Sequence, residues 1–445
     1  MKLNVQSRLL VGLTLFSMFF GAGNLIFPPF LGEQAGTSAI PALIGFCVSA
    51  VGLPMLGVIA VAKSDGLPVL AGRVHPIFAS VFTFLIYLSI GPCLAIPRTA
   101  TTSFEIAAVP FLPEGISNGT AQLVYSIVFF AVALALALRP DKLTDRLGKL
   151  LGPALLTLIL VVFVGCLLHT FDAPGEAVGA YVKNPAVTGF LEGYQTMDTI
   201  AALNFGFIIA LNIRAKGVED NRSVVGETCR AGVLAGIVLL AVYSALTYIG
   251  VQSGTIFSGA ANGTEVLRSI VLELFGQGGL IILALIFAIA CLNTCIGLIS
   301  CCSDYFTKIF PFWGYRTWAV FFAVVSMLIS NIGLNQILKV SVPVLGAIYP
   351  VAIVLIALAF AHPFIGRFTL IYPVSILLTG VVSVLASLDG LGVALPGMEA
   401  LRMLPFYGDS LGWVLPAIVG VILGIILSAV TGKNRPSAQS VHEAK

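Results

Sequence analysis

Charge is what this sequence has least of. Asp, Glu, Lys and Arg together make up 10% of its 445 residues, where a soluble protein carries roughly 25%. A chain this poor in charge cannot cover a globular surface with solvated side chains, so a water-soluble fold is excluded. The 58% of hydrophobic residues and a mean hydropathy of +1.04 agree, and together they define an all-α polytopic membrane protein. Histidine is scarce too: of the four (75, 169, 362, 442) none lies in the interior of an apolar run, His169 standing at the end of one. That argues against a histidine proton relay and favours Na⁺ over H⁺ wherever a coupling ion is needed. No Gly-x-x-x-x-Gly-Lys-Ser/Thr stretch and no soluble domain occur, so no ATP drives the protein from within its own chain. His-Glu-x-x-His and Cys-x-x-Cys spacings are absent as well, and nothing calls for an organic cofactor, a nucleic acid or an obligate protein partner. The eight cysteines (47, 93, 166, 229, 291, 295, 301, 302) lie in or beside apolar runs, which predicts free thiols and no disulfide framework. No cleavable signal peptide is expected, because the first apolar run continues into a full span.

Apolar runs are what the chain has in abundance. Twelve are long enough to span a bilayer: 8–32, 38–62, 77–105, 120–138, 150–169, 189–213, 231–252, 279–302, 314–331, 337–360, 368–388 and 411–430. Placing the N-terminus inside and alternating puts eighteen Lys and Arg on the inner side, among them Lys2, Arg139, Lys142, Arg146, Lys149, Lys433, Arg435 and Lys445. Three fall on the outer side (Lys183, Arg268, Arg402), while Arg98 and Lys339 lie within spans. The positive-inside rule then predicts both termini in the cytoplasm, with residues 431–445 as a polar tail. The outer loop 253–278 carries Val266, Leu267, Ile270, Val271 and Leu274 at helical spacing, which predicts an amphipathic helix, either resting on lipid headgroups or forming a lid.

Two spans are interrupted. The first contains Phe19-Phe20-Gly21-Ala22-Gly23-Asn24 followed by Pro28-Pro29, and the sixth contains Gly193-Tyr194-Gln195-Thr196-Met197-Asp198-Thr199, then Ala201-Ala202-Leu203-Asn204-Phe205-Gly206. Glycine and proline weaken helices, and freed backbone groups cannot face lipid without a cost of several kcal/mol each. Spans one and six cross in opposite directions, and paired interruptions of that kind point to a transporter site at the membrane midplane. The sixth span is expected to break close to Asn204-Phe205-Gly206. A channel would need polar residues recurring along several spans, and a membrane enzyme would need a catalytic cluster; here the polar residues gather at two breaks, and no enzymatic activity is expected.

The stretches Gly21–Pro29 and Gly193–Thr199, with Leu292–Leu298 in the eighth span, resemble the branched-chain amino acid:cation symporter family of bacteria over nearly the whole chain. That resemblance implies uptake of L-leucine, L-isoleucine and L-valine with a cation, usually Na⁺, across the inner membrane; an H⁺-coupled carrier or an exchanger is the alternative. More distantly, Ser7-Arg8-Leu9, Gly21-x-Gly23-Asn24 and Phe205-Gly206 resemble the neurotransmitter:sodium symporters. Their fold implies one transporter domain over 1–430 built as a five-plus-five inverted repeat with broken helices one and six. The repeats would run from about 8 to 169 and about 189 to 360, with extra, peripheral helices over 368–430.

An amino-acid substrate needs donors for its carboxylate, acceptors for its ammonium and an apolar pocket. Backbone N–H groups at Gly21, Ala22 and Gly23 suit the carboxylate. Carbonyls near Phe19, Phe20, Ala202 and Leu203 suit the ammonium. Ala201, Ala202, Leu203, Phe205 and Tyr87 are candidates for the apolar pocket, with Asn204 and Gly206 beside them at the expected break. Three roles compete for Asp198: cation ligand, counter-charge for the ammonium, or buried structural acceptor. Resemblance to the sodium symporters implies a Na⁺ site at Ser17, Phe20, Ala290, Asn293 and Thr294, and a second, substrate-linked one at Asn24; Thr294 bonded to its own helix is the alternative. Arg98 and Lys339 are expected to snorkel to the outer interface, the alternative being a gate with Glu33 or Glu105.

Overall fold

The computed structural model describes residues 3–138, 143–393 and 396–432, without the side chains of 143–152 and 207. The predicted tail beyond 432 lies outside the described residues, as do Lys2, Arg139, Lys142 and the side chains of Arg146 and Lys149. No strand occurs among the described residues. Inside hydrocarbon only a helix satisfies its own backbone locally, and each predicted span is built from helix. Span one is α1 (Val5–Phe19) and α2 (Ala22–Ala35). Span two is α3 (Ala39–Cys47) and α4 (Leu53–Lys63), joined through one π-helical turn at Val48–Gly52. The short α5 (Leu67–Gly72) precedes span three, which is α6 (Pro76–Leu88) and α7 (Ala95–Ala107). Then come α8 (Asn118–Ala137) and α9 (Leu143–Leu168).

Span six is α10 (Pro185–Glu192) and α11 (Asp198–Ala215). It is followed by α12 (Asn221–Ile256), α13 (Gly263–Ile309), α14 (Tyr315–Ser330) and α15 (Leu334–Ile365). The chain closes with α16 (Ile371–Gly390), α17 (Met398–Arg402) and α18 (Val414–Val430). Eight helical stretches among the described residues are long and apolar enough to cross a bilayer, four shorter apolar helices accompany them, and together they cover all twelve predicted runs. Side-chain caps set several starts: Asn4 accepts from the Ser7 N–H (2.7 Å), Asp220 from Ser223 (2.8 Å) and Asn262 from Thr264 (2.9 Å). Exposed Ile40, Val124, Ile237, Ile282, Leu328 and Ile422 ring the bundle, as lipid contact requires.

α2 is the buried axis. It packs against α12 and α13 where glycines admit its backbone: a Cβ on Gly250 would lie 2.0 Å from the Pro29 carbonyl oxygen, and one on Gly263 1.8 Å from that of Ile26. Pro28 and Pro29 sit inside α2 without ending it, so the interruption of span one comes from Phe20 and Gly21 alone.

The outer amphipathic stretch forms the first part of α13, which turns sharply at Gly276 (φ 60°, ψ −157°), a conformation that only glycine takes freely. Its apolar side, Val266, Leu267, Ile270 and Val271, is buried. Ser253 on α12 donates to the Val266 carbonyl (3.1 Å), and the Gly259 N–H donates to Glu33 on α2 (2.8 Å). The stretch therefore packs on protein rather than on headgroups. At the far edge α16 and α18 pack on each other through Gly420 and Gly424, outside the bundle that holds the breaks.

Candidate functional site

The break in span one follows from Phe20 (φ −76°, ψ 91°) and Gly21 (φ −122°, ψ −169°), both extended. Asn24 then takes the role of a cap from inside the next turn, its Oδ1 accepting from the Gly21 N–H at 3.1 Å. The break in span six lies over Gly193–Thr196, a 3₁₀ turn, and Met197 in the left-handed conformation (φ 64°). α11 starts directly after it at Asp198. Asn24 and Asp198 thus stand in the first turns of two helices that begin inside the bundle, where the helix dipole favours negative charge. They meet: Asn24 Nδ2 donates to Asp198 Oδ2 (2.6 Å) and to the Tyr243 hydroxyl (2.5 Å), and Tyr243 donates to the same Oδ2 (3.2 Å). Asn24 and Asp198 are 2% and 3% exposed, and Tyr243 on α12 is fully buried. The bonds from Asn24 and Tyr243 both fall on Oδ2, and the Thr196 hydroxyl stands beside the same carboxylate.

Span three carries a break of its own. One π-helical turn over Ser89–Cys93 contains Pro92 and a non-helical Gly91 (φ −94°, ψ −127°), and α7 restarts at Ala95. α7 is polar for a buried helix, with Arg98, Thr99, Thr101, Thr102 and Ser103 all shielded from solvent. A cavity of about 60 Å³ lies where the three restarted helices begin, lined by Gly21, Ala22, Gly23 and Asn24 of α2 and its approach, Ala95, Arg98 and Thr99 of α7, and Asp198, Ala201 and Phe205 of α11. Met18, Phe19, Ile90, Thr196, Met197, Thr294 and Leu298 complete it. Met18, Ile90, Phe205, Thr294 and Leu298 also line a second cavity of about 600 Å³. That larger space runs between α1, α9, α11 and α13, past Leu10, Leu13, Pro153, Ile208 and Cys301, towards the end of the bundle at which α1 starts. The small cavity is therefore a chamber that adjoins this vestibule and shares part of its lining.

Sequence comparison decides which family built it. A model of the family described as branched-chain amino acid transport protein matches residues 4–431. The chain belongs to that family. It is similar to the branched-chain amino acid permease BraB of Bacillus subtilis (strain 168), 38% identical over 437 residues, which cover 98% of each chain. It is also similar to the branched-chain amino acid permease BrnQ of the same organism, 41% identical over 434 residues covering 96% of this chain and 98% of the relative. Among solved structures, an inward-facing conformation of Mhp1 matches with a TM-score of 0.61 at 10% identity, over 95% of this chain and 91% of that one. MhsT in complex with L-phenylalanine matches with a TM-score of 0.57 at 14% identity, over 96% and 98%. These two likenesses speak to the fold alone: this family member is an all-helical, multi-pass membrane protein with the architecture of those transporters.

The residues singled out in sequence divide into two groups. Phe19, Gly21, Ala22, Gly23, Asn24, Asp198, Ala201, Phe205 and Thr294 share the chamber. Ala202, Leu203, Asn204 and Gly206 do not, because the sixth span breaks ten residues earlier than Asn204-Phe205-Gly206 suggests and α11 runs unbroken through all four. Ala202 and Leu203 are fully buried in the packing between helices, and a Cβ on Gly206 would lie 2.6 Å from the Val58 carbonyl of α4. Phe20 stacks on Phe16 (5.0 Å between centroids) and gives the break its backbone, not its ring. Tyr87 stacks on Tyr305 at 3.7 Å, away from the chamber.

The residues implied for cations lie between α1 and α13. Ser17, Asn293 and Thr294 line the vestibule, and Thr294 packs against Gly21. Its hydroxyl donates to the Ala290 carbonyl (3.1 Å), and Asn293 Oδ1 is a buried acceptor with no hydrogen-bond partner. Asn24 turns its oxygen to Gly21 and its nitrogen to Asp198, so it has one lone pair left to offer a cation. Arg98 does not snorkel: it is 4% exposed and lines the chamber. Lys339 is exposed. Tyr243 carried no sequence signal, since a tyrosine in an apolar run is ordinarily packing; the buried Thr-rich run after Arg98 was the missed sign of α7.

Proposed function

We propose that this protein takes up L-leucine, L-isoleucine and L-valine together with a cation, Na⁺, by alternating access across a bacterial inner membrane, with its termini in the cytoplasm. The observation that carries the reading is the chamber at the junction of broken helices from oppositely directed spans, sharing its lining with a vestibule that leads towards the end of the bundle at which α1 starts. A vestibule that leads to the chamber from the end at which α1 starts fits a carrier resting in an inward-facing state. In this reading Asp198 and the helix starts at Ala22, Ala95 and Asp198 receive the polar head of the amino acid. Met18, Ile90, Met197, Ala201, Phe205 and Leu298 receive its branched side chain. The Phe20 backbone, Ser17, Ala290, Asn293 and Thr294 supply the hard oxygens that Na⁺ prefers, and the orphaned Asn293 Oδ1 is the acceptor that such an ion would satisfy. The two repeats run from about 8 to 169 and about 189 to 360.

Purified protein in liposomes tests this. Leucine is expected to accumulate against its gradient when Na⁺ is high outside, and to respond to membrane potential at about 2.3 kcal/mol per charge per 100 mV. An Asn293→Ala variant is expected to raise the Na⁺ concentration for half-maximal uptake by about tenfold while leaving leucine counterflow at saturating Na⁺ intact. Uptake that follows a pH gradient and ignores Na⁺ would replace Na⁺ by H⁺, and uptake that requires leucine preloaded inside would mean exchange.

A further inference from the structure

Arg98 and Asp198 are opposite charges buried at 4% and 3% exposure, they line the same chamber, and among the described residues neither takes part in an ion pair. The Arg98 guanidinium nitrogens and the Asp198 carboxylate oxygens therefore stand beyond 4 Å of one another. A buried charge left without a counter-ion is costly, and a pair held apart keeps both costs until something bridges the gap. We propose that the zwitterionic head of the α-amino acid is that bridge: its carboxylate binds the Arg98 guanidinium and its ammonium binds Asp198. The proposal rests on reading the chamber as the amino-acid site.

The guanidinium is placed for this. Nη1 donates to the Gln195 carbonyl at 2.6 Å, in the 3₁₀ turn that precedes Asp198, which ties α7 to the break of span six. Phe27 lies under it at 5.3 Å from the ring centroid. A Cβ on Gly23 would come within 2.7 Å of Nη2, so glycine at that position makes room for the guanidinium beside the α2 N-terminus. An arginine has five N–H donors in a planar fork, and the bond to Gln195 uses one of them. The edge that carries Nη2 is thus available in the chamber, next to the backbone N–H groups of Ala22 and Gly23, where fork and helix start together suit a carboxylate. Asp198 receives hydrogen bonds on Oδ2 from Asn24 and Tyr243, and its other oxygen serves the ammonium.

The test compares leucine with leucinol, which lacks the carboxylate, and with 4-methylpentanoate, which lacks the ammonium. Affinities are read from the ligand-induced rise in melting temperature of the purified full-length carrier at saturating Na⁺. Wild type is expected to prefer leucine to leucinol on the order of 100-fold, since a site built to pair a group rejects the analogue without it. Arg98→Gln is expected to lose that preference by weakening leucine and leaving leucinol unchanged. Asp198→Asn is expected to lose the preference for leucine over 4-methylpentanoate instead. If Arg98→Gln is not monodisperse, Arg98→Lys carries the test: a point charge without the fork weakens leucine by about tenfold and leucinol not at all. A leucine-to-leucinol ratio that stays at the wild-type value in Arg98→Gln or Arg98→Lys, whether or not both affinities fall, would overturn the proposal, as would an unchanged leucine-to-4-methylpentanoate ratio in Asp198→Asn. Wild type that binds no leucine would overturn the reading of the chamber instead.

Discussion

Asp198 concentrates the problem of a charge inside a membrane. Its helix start, the Asn24 amide and the Tyr243 hydroxyl all stabilise the anion, and these contacts come from three elements distant in sequence. Charge-assisted hydrogen bonds of this kind contribute about 1.5–3 kcal/mol each. Asp198→Asn keeps the shape and removes the charge, and its amide then faces two donors. We expect the variant to insert and to remain folded, while Na⁺-driven leucine uptake falls by about tenfold or more, as the loss of one such bond would produce. Near-normal uptake with an unchanged Na⁺ half-saturation would leave Asp198 as a structural acceptor and nothing else. Asp198 and Asn24 are conspicuous in the sequence because polar residues are so rare there. Tyr243 and the inward course of Arg98 are not, because which way a side chain leaves its helix depends on neighbours distant in sequence, such as Gln195, 97 residues from Arg98, and Asn24, 219 residues from Tyr243.

At the level of elements, the sequence shows that spans one and six are interrupted, and it locates the first interruption well because Gly21 and its capping Asn24 are three residues apart. The sixth is displaced in the sequence reading towards Asn204-Phe205-Gly206, since a glycine in a helix can mark either a break or a close approach. Here Gly206 marks an approach to α4, while the break relies on Met197, a residue with no turn preference, in a left-handed conformation held by its surroundings. The two roles separate by experiment. Gly206→Leu should force α11 away from the Val58 carbonyl and destabilise the carrier by about 2 kcal/mol, an overpacking cost. That is readable as a lower melting temperature, with the leucine half-saturation of the surviving protein unchanged. A selective loss of leucine affinity at wild-type melting temperature would return Gly206 to the substrate site. The break in span three escaped notice for a related reason: Gly91-Pro92 reads as ordinary punctuation, and only the packing of a Thr-rich α7 around the chamber gives it meaning.

For the whole molecule, the two faces of the bundle are unequal. On one, the vestibule leads past Ile208 and Leu298 to the chamber; on the other, the first part of α13 packs its apolar side, with Leu267 4% exposed, against the bundle. The proposed alternating access requires these conditions to exchange, because a chamber open to both faces at once would dissipate a driving gradient. The Arg8–Glu227 ion pair (2.9 Å) ties the start of α1 to α12 on the vestibule side. All eight native thiols are free, and a variant lacking them gives a clean background for labelling. In it, Ile208→Cys should react with a membrane-impermeant maleimide from the face at which α1 starts when no ligand is present, and that face should prove cytoplasmic. Leucine with Na⁺ should slow this labelling by about tenfold, which corresponds to moving roughly 1.4 kcal/mol of the conformational equilibrium. Leu267→Cys should react from the opposite face, and only under conditions that allow turnover. Labelling of Ile208→Cys from both faces at equal rates would mean a continuous pore, and the protein would then be a channel.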